Sequence, residues 1–134
     1  MESNRLEAIV TAGVWAVIPV FVTLVLVVVA SRAANGRLAR NQWIGIRTRS
    51  TMSSDQAWVA GHRAALRLTP LYLLTTVVAW AALFAAVMYA STNVVRLVGF
   101  GVFGVILAVV FYSAFVASKA AKSVDDHPDR RQGQ

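Results

Sequence analysis

The sequence predicts an all-α integral membrane protein with three transmembrane helices and an amphipathic cytoplasmic helix in its first loop. Three observations predict it. Hydrophobic residues make up 57% of the 134 positions and charged ones only 14%, far from the mixture of a soluble globule. Residues 8–30, 68–90 and 97–117 contain no Asp, Glu, Lys, Arg or His. Between the first two of these stretches lie Arg32, Arg37, Arg40, Arg47, Arg49, Arg63 and Arg67 against Asp55 alone, which is where topology rules place cations on the cytoplasmic side.

Each element follows in order. Residues 1–7 form a short extracytoplasmic head, and residues 8–30 reach about 34 Å as a helix, enough for a hydrocarbon core of about 30 Å. The head carries Glu2 and Glu7 against Arg5, the wrong sign for the basic start of a cleaved signal, so the first span is read as retained. Residues 31–67 are the arginine loop. Its second half opens on Ser53-Ser54-Asp55-Gln56, where a serine cap and a glutamine three residues later satisfy free amides at a helix start, so a surface-lying helix is expected over about 54–67. Residues 68–90 are the second span, with Pro70 near the entrance where its missing N–H costs least. Residues 91–95 make a tight outer hairpin. Residues 96–117 are the third span, with Arg96 close enough to its end to reach the headgroups. Residues 118–134 read as a disordered cytoplasmic tail, polar and without an apolar stripe. The arginine loop inside then puts the N-terminus outside and the C-terminus in the cytoplasm.

Several function classes are excluded or disfavoured by the same residues. There is no cysteine, which removes disulfides, thiolate zinc sites and cysteine nucleophiles. His62, His127 and the tail aspartates are too scattered for a metal site, and neither a cofactor nor a catalytic pair is expected. Asp55 is explained by the dipole of the helix it begins. The formal charge of +7 is concentrated in the membrane-flanking loop, so anionic lipids are the expected partners and direct nucleic-acid binding is not expected. Gly99-Phe100-Gly101-Val102-Phe103-Gly104 spells GxGxxG, but inside an apolar span with no preceding strand it is no dinucleotide site. Gly101, Gly104 and Ala108 share a helix face, as do Ala82, Ala86 and Ala90, and these stripes are expected to pack the second span on the third.

The first loop carries the most information. Trp43, Ile44 and Ile46 surround Gly45 among cations, apolar enough to dip into the interface and too short to cross. Arg40, Arg47 and Arg49 have the planar fork that grips phosphate or carboxylate, or they serve only to hold the loop inside. Arg47 stands apart, beside a glycine that permits close approach and next to Thr48 and Thr51. Trp58 and His62 lie one turn apart, either as a recognition or protonation site or as an interfacial aromatic with a hydrogen-bonded neighbour. Arg63 points elsewhere.

Asn41, Gly45-x-Arg47-Thr48, Thr51, Ser53, Trp58 and His62-Arg63, in that order and with those gaps, resemble the motif of the SdpI family of small bacterial membrane proteins. The resemblance implies a multi-pass protein of the bacterial plasma membrane whose motif loop is the binding site. It also implies an immunity or signal-transduction role, with a membrane-active peptide toxin or a repressor as partner. Two other readings stay open: an accessory structural subunit of a larger membrane complex, and a protein that handles phospholipids or lipid phosphates.

Overall fold

The computed structural model describes residues 2–125 and is all-helical, with no strand among them. Its elements are α1 (Glu2–Ala34), α2 (Asp55–Leu66), α3 (Thr69–Tyr89) and α4 (Thr92–Asp125). α1, α3 and α4 are each long and apolar enough to cross a bilayer, with mean hydropathies of 2.7, 2.1 and 2.6. Large apolar side chains on all three face outward, Phe21, Phe84 and Phe111 among them. Lipid is the solvent such surfaces require, so this is a multi-pass membrane protein. The chain folds as two compact units, Met1–Leu24 with Pro70–Val109 and Val25–Thr69 with Val110–Gln134.

In the first unit Ala8, Ala86 and Val95 are buried together, with Ala12, Val87 and Val98 against them. Small side chains bring the backbones close, which is what allows dispersion to hold helices together in lipid. Pro19 lies inside α1, where it removes one ladder donor. Polar groups of α3 gather beside it. The Thr76 hydroxyl meets the Thr23 hydroxyl at 2.9 Å and the Pro19 carbonyl at 3.4 Å, and Trp80 Nε1 donates to the Ala16 carbonyl at 3.0 Å. The expected outer hairpin shrinks to Ala90 and Ser91, because α4 already begins at Thr92.

The small-residue stripes need correction. Ala86 is buried, but Ala82 and Ala90 are exposed, as are Gly101, Gly104 and Ala108. A Cβ added at Gly101 or Gly104 would meet nothing within 4 Å. The face of α4 that packs is instead Val95, Gly99 and Ile106, with Gly99 under the Trp15 ring and that ring edge-on to Phe100 at 5.0 Å. At 100° per residue Gly101, Gly104 and Ala108 lie about 140–200° round the helix from Gly99, so one face excludes the other.

In the second unit Ala30, Ala65 and Ala117 form the buried centre, flanked by Ile46 and Leu66. Just beyond the end of α1, Gly36 takes φ +70°. The Gly36 amide bonds the Ala33 carbonyl at 3.1 Å and the Arg37 amide bonds the Arg32 carbonyl at 2.8 Å, the paired closure that glycine allows at a helix C-terminus. α4 continues to Asp125, so residues 118–125, expected to belong to the disordered tail, are helical. Ala117 and Ala121, one turn apart, are both buried there, and Ser118 Oγ lies 3.2 Å from Ser50 Oγ. The rest of the expected tail, His127 included, lies outside the described residues.

Candidate functional site

The motif loop is built around α2. Ser54 caps that helix, its side chain accepting from the Ala57 amide at 3.0 Å. Ser53, three residues before Gln56 and so the expected cap, instead donates its hydroxyl to the Ser50 carbonyl at 2.7 Å. Ala57, Trp58, Gly61, His62 and Ala65 form the buried face of α2, the three-to-four spacing of one helical stripe. Gly61 belongs to that stripe because α4 comes too close for a side chain: an added Cβ would sit 3.0 Å from the Ala117 carbonyl and 2.7 Å from the Thr51 methyl.

Against this face the preceding chain is tied down bond by bond. Asn41 Oδ1 accepts from the amides of Trp43 at 2.9 Å and Ile44 at 2.8 Å, the local turn that asparagine favours. Gly45 follows at φ +118°, and an added Cβ would come within 2.5 Å of Trp58 and 2.8 Å of His62 Nε2. Only glycine meets both demands. The Ile46 amide then donates to His62 Nε2 at 2.9 Å, while Thr51 Oγ1 donates to the Ile46 carbonyl at 2.6 Å and accepts from the Thr48 amide at 2.9 Å. Thr48 Oγ1 accepts in turn from the Thr51 amide at 3.2 Å. Trp58 Nε1 donates to the Leu38 carbonyl at 3.0 Å, closing the loop twenty residues back.

His62 is central and fully buried. Because Nε2 accepts from a backbone N–H, the ring proton sits on Nδ1, which donates to the Trp58 carbonyl at 2.8 Å. The imidazole is therefore neutral, and burial lowers its pKa below 6.5, with the Trp58 carbonyl bond a smaller opposing influence. Its ring also lies against that of Trp58, tilted by 47° with 4.1 Å between centroids.

The arginines divide by role. Arg40 Nε meets Asp55 Oδ1 at 3.1 Å and Arg40 Nη1 donates to the Met52 carbonyl at 2.6 Å, so this residue braces the loop to the start of α2. Arg63 reaches the Ala34 carbonyl at 3.4 Å, near the negative end of α1. Arg47 is exposed, and its guanidinium meets no partner among the described residues. Beside it Trp43 is 86% and Ile44 52% exposed. The motif thus separates into an inner set, Asn41, Gly45, Thr48, Thr51, Trp58 and His62, that shapes the loop, and an outer set of Trp43, Ile44 and Arg47 displayed by it.

Both ring nitrogens of His62 are occupied by backbone partners. Among the described residues no three His, Cys, Asp or Glu gather to hold a metal ion. One contributor escaped sequence reasoning: Leu38, which acts through its carbonyl and leaves no side-chain signature. Arg40 reads from the sequence as a fork for phosphate or carboxylate, and the carboxylate it meets is that of Asp55, fifteen residues away.

The family model described as the SdpI/YfhL protein family matches residues 37–116, more than half the chain and inclusive of every loop residue above. No curated protein matches the chain, and no solved structure does.

Proposed function

The chain belongs to the SdpI/YfhL protein family, and from that premise we propose that it is an immunity or signalling protein that recognises a membrane-active peptide or a partner protein through its motif loop. The loop faces the cytoplasm, because seven arginines against one carboxylate are concentrated there. The work is binding and not catalysis. One observation carries this reading: a network of part-buried bonds converging on His62 and Thr51 fixes the backbone on either side of Gly45, and the residues it presents outward are an aromatic, an aliphatic and a guanidinium with no partner among the described residues. Aromatic and arginine side chains on a pre-ordered backbone are the anchors that recognition surfaces favour, since little entropy is left to lose on binding.

Arg47 is the polar anchor. Its fork accepts a carboxylate or phosphate in two parallel bonds, each charge-assisted bond contributing about 1.5–3 kcal/mol. Lysine keeps the charge and loses the fork. In a complementation or partner-binding assay Arg47→Lys is expected to fail nearly as badly as Arg47→Ala, with expression and insertion unchanged, while Arg37→Lys and Arg32→Ala behave as wild type. Wild-type behaviour of Arg47→Lys would return the residue to the general pool of topology charges.

A further inference from the structure

A second polar site surrounds the short link between α3 and α4. An open cavity of about 840 Å³ is lined there by residues from the starts of α1 and α4 and the end of α3, within the roughly 300–1,000 Å³ range of small-ligand sites. Ala8, Val87 and Met88 give it an apolar part, and Ala8 and Val87 belong to the buried Ala8, Ala86 and Val95 cluster and its flank. The rest of its lining is rich in donors. Arg5 and Arg96 both line it. Arg96 is braced, its Nη2 paired with Glu7 Oε1 and its Nη1 donating to Asn93 Oδ1 at 3.4 Å. Arg5 is exposed and meets no partner among the described residues. Two guanidiniums against the one carboxylate of Glu7 leave a single positive charge.

We propose that this cavity holds the phosphodiester headgroup of an anionic phospholipid from the leaflet at the α3–α4 link, with Arg5 as the principal contact. The charge balance suits a monoanion. Mixed apolar and polar lining at the ends of membrane-spanning helices suits an amphiphile whose acyl chain remains in the bilayer. Glu7 keeps Arg96 in place, so the site is shaped before the lipid arrives. None of this depends on the motif loop, whose displayed residues lie in a different segment of the chain.

The experiment uses the full chain purified in neutral detergent and exposed to phosphatidylglycerol, phosphatidylethanolamine or inorganic phosphate. Retained lipid is counted by native mass spectrometry and melting is followed in parallel. The wild type is expected to retain one phosphatidylglycerol in preference to phosphatidylethanolamine, and to melt higher when it is added. Arg5→Ala is expected to lose about ten-fold in that retention, the scale of one charge-assisted hydrogen bond, and to lose the added stabilisation while melting normally without lipid. Arg32→Ala, which alters an exposed arginine in the last turn of α1, is expected to keep both. Equal retention by Arg5→Ala and the wild type, equal retention of the two lipids, or full displacement of phosphatidylglycerol by inorganic phosphate would each overturn the proposal.

Discussion

His62 illustrates how much a single side chain decides in this protein. Its Nε2 must carry a lone pair to accept the Ile46 N–H, so protonation removes the bond and sets two donors against each other. The folded pKa lies below 6.5, and the unfolded chain therefore binds more protons as the solution is acidified. By linkage the contribution of His62 is fully present above about pH 6.5 and is lost as pH falls from there through the lower folded value. Melting in detergent from pH 7.5 to about 5 is expected to show this loss in the wild type and to show less of it in His62→Gln, which keeps an acceptor but does not titrate. His62→Ala leaves the Ile46 amide unpaired at a cost of about 1–3 kcal/mol, and amide exchange at Ile46 is expected to accelerate. Its spacing from Trp58 was legible in the sequence. Its role was not, because the atom it holds belongs to the backbone of Ile46, sixteen positions away, and backbone amides carry no residue-specific signal.

At the scale of the helices, what the sequence concealed was rotation. Absence of charge is a local property, so α1, α3 and α4 were visible from composition. Which face of each turns inward depends on a neighbour, and for α4 the neighbour is Trp15, whose ring occupies the space above Gly99. Sequence periodicity chose Gly101, Gly104 and Ala108 because small residues repeat there. The structure packs the other side. The expected consequences differ in sign. Gly104→Ala meets open space and improves helix propensity, so it is expected to be neutral or to stabilise by up to about 1 kcal/mol. Gly61→Ala places a methyl against the Ala117 carbonyl and the Thr51 methyl and is expected to destabilise by about 1–3 kcal/mol. Gly45→Ala adds the strain of φ +118° to a collision with the Trp58 ring and is expected to be the worst of the three. Thermal melting of the purified variants in one detergent ranks them. Comparable melting of Gly104→Ala and Gly61→Ala would show that α2 does not approach α4 as closely as described.

For the whole molecule, orientation is the property on which the functional reading depends. The proposed orientation has the first loop in the cytoplasm, on the strength of the arginine excess in residues 31–67, and three crossings would then leave the two ends of the chain on opposite sides. An alkaline phosphatase fusion after Lys122 is expected to be inactive and one after Ser91 active, with a fluorescent reporter giving the reverse pattern. Activity at Lys122 would invert the topology and remove the motif loop from the cytoplasm. The linkage of α3 to α4 through Ala90 and Ser91 alone also constrains biogenesis. So short a connection leaves α3 no room to settle in the bilayer while α4 waits outside it. On the proposed topology the pair is expected to insert as one object, with Asn93 and Arg96 at its leading end. Three crossings are then two insertion events, and a chain ended just after Tyr89 is expected to insert poorly.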